Sequence, residues 1–312
     1  MNNKTFYIFS FYRFVKINNL KDVKLKIETY LDNRLIRGTI LLANEGINTS
    51  ISGKKKDLEK VLSKIKILLG IRKVSLKINK NDFLPFNKIK VRLKKEIVSL
   101  GKGDFNFENN KNTIHPSKWN DMISSPNIKL IDTRNNYEID IGKFEKAINP
   151  IANSFREFPK KLAELDINKN DTIALYCTGG IRCEKLSLFL KSKGYKNIYQ
   201  LDGGILNYLD HYKNDKKYSL WNGECFVFDN RVTVNHELEK GIYEQCYGCR
   251  HPITKAEINS KRYKKGIFCP YCYDKRNKIQ KYKSETRQKN INISEAKKKS
   301  HTFKKIFSSE IN

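Results

Sequence analysis

A short apolar run over 172–176 reaches Cys177, crosses Thr178-Gly179-Gly180 and enters a run over 184–193 in which Leu186, Phe189 and Leu190 recur at helical spacing. No other stretch constrains the fold as tightly. The run is bounded upstream by the polar residues 168–171, as expected of a strand buried in a parallel sheet. A strand that hands over directly to a helix belongs to an alternating α/β domain. The junction also sets Cys177 at a helix N-terminus. Backbone N–H groups there, given room by Gly179 and Gly180 and joined by the Arg182 guanidinium, favour an anion and lower a thiol pKa. The loop therefore predicts a thiolate. A packed core cysteine would need neither the arginine nor the glycines.

The pattern on either side alternates in the same way. Helical spacing at 119–123, an apolar run at 128–131, helical spacing around Leu162, the strand at 173–176, the helix at 186–190 and a run at 198–201 predict a parallel sheet covered on both faces, in a domain over 118–217. Two further motifs fall at the C-terminal ends of strands: Leu130-Ile131-Asp132-Thr133-Arg134 followed by Tyr137-Glu138 and Gly142, and Leu201-Asp202-Gly203-Gly204. In open α/β sheets ligands bind at that edge, so three motifs converge on one crevice. The cysteine loop resembles the active-site loop of rhodanese domains, and the other two motifs resemble that domain's second and third signatures. The longer string over 177–185, Cys-Thr-Gly-Gly-Ile-Arg-Cys-Glu-Lys, is similar to that of the rhodanese-containing tRNA uridine hydroxylases. Rhodanese-like sequences often carry Gly-His where this chain has Gly142-Lys143, so no histidine role is carried over there.

Residues 1–100 read as strand, helix, two strands, helix, strand. An aromatic-rich alternating run covers 5–14, helical periodicity covers 22–31, and strands at 38–43 and 49–52 flank the turn Asn44-Glu45-Gly46-Ile47-Asn48. An amphipathic helix over 56–69 gathers Leu58, Val61, Leu62, Ile65 and Leu68 on one side, and a strand at 74–78 closes the unit. That order is the split βαβ, ferredoxin-like (acylphosphatase-like) α+β pattern. Over 83–100, Lys88, Lys90, Arg92, Lys94 and Lys95 alternate with Ile89, Val91 and Leu93, which suits a strand whose basic face tracks phosphates or an edge strand protected by lysine. A polar linker over 101–117 follows.

Beyond the second domain, 223–273 holds two Cys-x2-Cys knuckles, Cys246 with Cys249 and Cys269 with Cys272, separated by 19 residues. That is the spacing of a zinc-ribbon-like segment with a closed, structural four-thiolate site. From 274 to 312 the chain carries 12 Lys and Arg against 4 Asp and Glu with few large apolar residues, which predicts a disordered basic tail. The whole chain of 312 residues is therefore read as α/β and α+β multidomain, and its formal net charge of +29 suits a polyanionic partner. A Lys-, Asn- and Ile-rich composition would produce the same excess without a binding role. Seven cysteines, four of them in knuckles, suit a reducing compartment, and no run approaches the roughly 18 apolar residues of a membrane span. The expected location is cytoplasmic.

The order of the three segments is what the resemblance rests on, and it implies an oxidoreductase. Its reaction would convert the wobble uridine of tRNA to 5-hydroxyuridine with O2 as co-substrate, and its partner would be the tRNA anticodon loop. Carried over on the matching loop, Cys177 is the reactive thiol, Arg182 its anion or thiolate partner, and Cys183 a second thiol. Cys177 stands at the rhodanese persulfide position, whereas Cys183, six residues on, is open to a resolving or a primary role. The alternatives are a sulfurtransferase passing a Cys177 persulfide to an acceptor, and an RNA-binding module on an inert rhodanese fold. No flavin, haem or nucleotide fingerprint occurs, and His115, His211, His236, His251 and His301 form no metal-spaced pair.

Overall fold

The computed structural model describes residues 5–32, 34–102, 105–107 and 112–296. Strand β1 (Phe6–Phe14) alternates buried and half-buried residues, and helix α1 (Leu20–Leu31) starts where the Asn19 side chain accepts the Asp22 N–H at 3.2 Å. Strands β2 (Arg37–Ala43) and β3 (Gly46–Gly53) form a hairpin. Helix α2 (Lys55–Leu68) buries Leu58, Val61 and Ile65, with Leu62 and Leu68 packed at the margin of the same core. Strands β4 (Lys77–Asn81) and β5 (Ile89–Leu93) complete a sheet ordered β4-β1-β3-β2-β5. All neighbours are antiparallel except β5, which lies parallel to β2 and leaves its outer edge free of any strand among the described residues.

The expected strand at 74–78 is displaced. Val74 and Leu76 pack against the core as irregular chain, and β1 takes its edge hydrogen bonds from Lys77–Asn81 instead. An apolar run can satisfy burial without pairing, so hydrophobicity alone places such a strand poorly.

The second layer begins inside the stretch expected to be a linker. Strand β6 (Thr113–Ile114) adds to the edge of a parallel sheet, and helix α3 (Pro116–Ser124) buries Trp119 completely. Strand β7 (Ile128–Asp132), helix α4 (Asn136–Ile139), strand β8 (Gly142–Phe144), helix α5 (Phe158–Ala163), strand β9 (Thr172–Tyr176), helix α6 (Ile181–Ser192), strand β10 (Asn197–Leu201) and helix α7 (Gly204–Tyr212) follow. The sheet order is β6-β10-β9-β7, with β9 flanked on both sides. One face is packed by Trp119, Phe144, Tyr208 and Trp221, the other by Phe155, Phe158, Leu186 and Leu190. Both faces of the parallel sheet are thus covered, as its apolar strands require.

Strand β11 (Trp221–Gly223) pairs with β8, and β12 (Cys225–Phe226) pairs with β13 (Thr233–Val234) through a turn. Strands β14 (Glu244–Gln245) and β15 (Pro252–Ile253) and helix α8 (Lys255–Ile258) surround the knuckles. Here the expectation of a disordered tail from residue 274 is corrected: Lys278–Ala296 is a 19-residue helix, α9. Its order comes from specific hydrogen bonds rather than an apolar stripe. Arg287 donates to the carbonyls of Gly266 (2.6 Å) and Tyr247 (3.0 Å), Arg276 donates to that of Gly248, and the Arg276 guanidinium also reaches Ser284 Oγ at 2.6 Å. The part of that expectation covering 297–312 lies outside the described residues.

Candidate active site

Strand β9 delivers Cys177 at its C-terminal end, between β7 and β10. The chain then turns through Gly180, whose φ of 98° lies in the left-handed region that glycine enters without steric cost, and α6 begins. Gly180 N–H donates to Cys177 Sγ at 3.1 Å. Burial, which leaves Cys177 only 1% exposed, pushes its thiol up. A hydrogen bond from Cys183, the Arg182 charge and the backbone N–H groups of Cys183 and Arg182 outweigh it and bring the thiol down to about 5. Cys183 moves the opposite way: burial, then its contact with Cys177, holds it well above the ordinary range. Thr133 Oγ1 lies 3.4 Å from Cys183 Sγ, so the second thiol is buried among polar partners as a neutral donor. The geometry brings Cys177, Arg182 and Cys183 together and gives the two thiols different surroundings, whereas the sequence leaves open which of them is the nucleophile.

Arg182 does not grip the thiolate directly. Its guanidinium meets the fully buried Glu138 in a bidentate pair, Nη1 to Oε1 at 2.7 Å and Nη2 to Oε2 at 2.8 Å. It therefore acts on Cys177 through its field, with one donor on each carboxylate oxygen and Nη2 also reaching Thr178 Oγ1 at 3.4 Å. Glu138 is the group that motif reading quotes without giving it a role. It sits in the first turn of α4, where its Oε1 also accepts the Asn135 N–H at 3.2 Å. The neighbouring Arg134 is structural: fully buried, it binds Asp132 (Nη2 to Oδ2, 2.6 Å) and donates to the carbonyls of Glu138 and Gly142, tying β7, α4 and β8 into one frame.

The third motif closes the loop from the other side. Ile205 N–H donates to Cys177 O at 2.9 Å and Leu206 N–H to Thr178 O at 3.1 Å. Gly204 allows this approach, since a Cβ there would collide with the Cys177 carbonyl oxygen. Lys143, in contrast, is an exposed residue of β8 that faces Asn222 across the β8–β11 pair.

Sequence reasoning misses the contribution of the N-terminal domain. Tyr12 of β1 donates its hydroxyl to Glu184 Oε2 at 2.8 Å, and the same hydroxyl stands over Gly180, 3.2 Å from where a Cβ would lie. Burial pushes both Tyr12 and Glu184 up, so the pair sits beside the thiol as two protonatable groups in a dry contact. One residue on, Lys185 reaches Glu45 and Glu96. No local pattern marks these links, because they join side chains distant in the chain.

The four knuckle cysteines come together as well. The sulfurs of Cys246, Cys249, Cys269 and Cys272 all lie within 4.8 Å of one another, and among the described residues no other cluster of metal-ligating side chains forms. Cys249 and Cys269 are 3.8 Å apart and Cys269 and Cys272 are 3.9 Å apart, with no disulfide. Four sulfurs bound tetrahedrally at about 2.3 Å to one ion stand about 3.8 Å from each other, so the cluster fits a closed metal site. The seventh cysteine, Cys225, is a core residue whose thiol burial pushes up to about 12.

Comparison with known proteins agrees with this layout. Residues 6–97 match the family described as UPF0176 acylphosphatase like domain, and residues 115–211 match the rhodanese-like domain. A tRNA uridine(34) hydroxylase of Pelagibacter ubique (strain HTCC1062) is 46% identical over 303 residues, which span 97% of this chain and 99% of that protein. Among solved structures, a rhodanese-like domain from Anabaena is 14% identical over 36% of this chain and 80% of its own, with a TM-score of 0.30. A rhodanese-like domain protein from Staphylococcus aureus is 23% identical over 31% of this chain and 90% of its own, with a TM-score of 0.27.

Proposed function

The chain belongs to the tRNA uridine(34) hydroxylase family, and from that premise we propose that it hydroxylates the wobble uridine of tRNA with Cys177 as the reactive thiolate. The observation that carries the reading is the placement of that thiol, at the end of the central strand of the parallel sheet with Gly180 N–H donating to its Sγ at 3.1 Å, a setting that brings it down to about 5. Carbon 6 of uracil is a conjugate acceptor. Addition of the thiolate forms a C6–S bond, and the displaced π pair spreads over C5, C4 and O4 as an enolate, which makes C5 the electron-rich carbon. O2 is the proposed source of the oxygen atom that C5 takes. The second atom leaves as water with two electrons and two protons from a reductant in solution, after which C5 loses its proton, that electron pair re-forms the C5–C6 double bond, and the C6–S bond breaks to return the Cys177 thiolate. This makes the enzyme an oxidoreductase. Arg182 and the loop N–H groups stabilise the thiolate before and after addition, while Cys183 donates to it.

The four-cysteine cluster is assigned to zinc, held by Cys246, Cys249, Cys269 and Cys272 in a structural role, since four thiolates leave no open coordination position. The substrate is the anticodon loop of tRNA, whose unstacked wobble base enters a crevice without the cost of opening a duplex. A tRNA substrate supports the expected cytoplasmic location. Thiolation and hydroxylation of uridine add the same nominal mass, so the test is isotopic. Reaction under heavy-oxygen gas gives a wobble nucleoside carrying the label, and a product that instead carries sulfur from a labelled persulfide donor assigns the protein to sulfurtransfer.

A further inference from the structure

Three elements distant in sequence present cations and rings on one side of the molecule. Strand β5 carries Lys88 just before it and Lys90 and Arg92 within it, on a sheet edge that no other strand covers among the described residues. The turn between β12 and β13 rests on the residues leading into that strand: Asn230 N–H donates to Pro85 O at 2.8 Å, and Asn230 Nδ2 to Asn87 Oδ1 at 3.0 Å. The tip of the turn exposes Phe228 by 65%. The loop between the two members of the first knuckle and β15 adds Arg250, an exposed residue held at a φ of 70°. Its charge reaches Lys90, whose ammonium is destabilised first by burial and then by Arg92, Lys88 and Arg250. None of these four cations has an ion-pair partner among the described residues.

Alongside the cations runs an unbroken series of rings. Phe228 meets Phe226 edge to face at 5.1 Å, Phe226 meets Tyr137 at 5.3 Å, Tyr137 meets His251 at 6.1 Å, and His251 lies over Tyr271 at 3.7 Å. Its two ends are open to solvent, Phe228 by 65% and Tyr271 by 44%. Its middle, Tyr137, is the residue next to Glu138, which holds Arg182 beside Cys177. The series is thus joined to the Cys177 loop through the Glu138–Arg182 pair.

We propose that β5, the β12–β13 turn and the knuckle loop form one binding surface for single-stranded RNA, on which the anticodon loop lies as its wobble base enters the Cys177 crevice. The inference rests on the tRNA reading above and deepens it. Unpaired cations beside a series of rings whose two ends are open for bases to stack on are what a single strand requires and a duplex does not. Protection of a bare sheet edge would account for the lysines of β5 alone. It accounts neither for Arg250, which comes from another element, nor for an exposed phenylalanine, which works against such protection.

The test is binding of an anticodon stem-loop RNA with uridine at the wobble position, measured over a salt series with the full chain, and a duplex RNA as comparison. Each phosphate contact to a single strand contributes about 0.7 to the log–log salt slope, so the triple variant Lys88→Gln, Lys90→Gln, Arg92→Gln flattens it by about 2 and Arg250→Gln by about 0.7. Phe228→Ala weakens binding by about 5- to 150-fold, the range of one stacked base, at an unchanged slope, and Phe228→Tyr restores it. Thermal melting of each variant checks that the fold is kept. Wild-type affinity and slope in all of these folded variants overturn the surface, as does a wild-type protein that prefers the duplex. A wild-type protein that binds through these residues but yields no oxygen-labelled nucleoside leaves the surface standing and overturns the hydroxylase reading instead.

Discussion

The ammonium of Lys185, fully buried, stands 2.7 Å from Oε2 of Glu45, a residue 140 positions earlier in the tight turn of the N-terminal domain. Glu96 Oε2 lies 2.6 Å from the same nitrogen, and Val98 O completes the set at 3.1 Å. Since Lys185 follows Cys183 and Glu184 on α6, this node fixes the helix that ends the reactive loop to the N-terminal sheet.

Replacing Lys185 by Met leaves two carboxylates facing an apolar side chain. Removing one partner of a buried pair costs about 3–5 kcal/mol, and the low end is expected because both glutamates keep 18% of their side-chain exposure. Urea unfolding of the variant measures it. The pH dependence has a defined sign: burial raises the Glu96 carboxyl, but hydrogen bonds from Lys185, Leu100 and Gly101 lower it further, to below its ordinary 4.5. Its folded form is thus the weaker proton binder, so its contribution is complete above about 4.5 and is lost as pH falls through the lower folded value. A wild-type protein whose stability is flat across that acid range would remove the node.

The state of Cys177 sets the pH profile of its reactivity. With a thiol near 5, alkylation by iodoacetamide should reach its plateau by about pH 6 and fall to half near pH 5, where an ordinary cysteine has almost no thiolate. Mass spectrometry locates the modified residue. Cys177→Ser should abolish hydroxylation and this acid-range reactivity together, while Cys183→Ala should keep a thiolate of higher pKa, because it loses the donor that lowers Cys177. Activity retained in Cys177→Ser and lost in Cys183→Ala would reverse the assignment.

Glu138 is predicted to matter through Arg182. Glu138→Gln leaves the guanidinium buried with one neutral partner, which destabilises the fold by about 3–5 kcal/mol if the charge stays buried. A further consequence separates this from general weakening. If Arg182 swings toward the thiolate once freed, the alkylation midpoint of Cys177 moves down, and if it swings to solvent the midpoint moves up. A midpoint that stays near 5 in a folded variant would show that Arg182 does not reach the thiol.

Local pattern carried much of this architecture into view. The strand–cysteine–glycine–helix junction, the alternation over the parallel sheet and the paired knuckles are all short-range features, and each lies within a few turns of chain. What pattern does not carry is contact between distant side chains. Tyr12 and Glu184 lie 172 positions apart, and nothing in the alternating aromatics of β1 shows that one hydroxyl leaves its own sheet for the α6 helix. Glu138 stands within a quoted motif, yet its role as counterion depends on α4 packing beside the reactive loop. Helix α9 escapes for another reason: it has no apolar stripe, and its arginines are satisfied by carbonyls of the knuckle loops, which no periodicity predicts.

That last arrangement makes metal removal informative. Arg276 and Arg287 donate to the carbonyls of Gly248, Tyr247 and Gly266, and these carbonyls are presented by the loops that carry Cys246, Cys249 and Cys269. A 19-residue helix with so few buried side chains is marginal in isolation, so it should fold only while the loops hold their shape. Without a cation the four thiols lie within 4.8 Å of one another, and they cannot all ionise at that spacing. Metal analysis is expected to find about one zinc per chain. Chelation, or Cys269→Ser, should then lower far-ultraviolet helicity by roughly the content of α9, open 278–296 to proteolysis and leave Cys177 alkylation unchanged, because the reactive loop belongs to a separate core. Protease resistance of 278–296 after the metal is gone would show that α9 is held by something other than the knuckles.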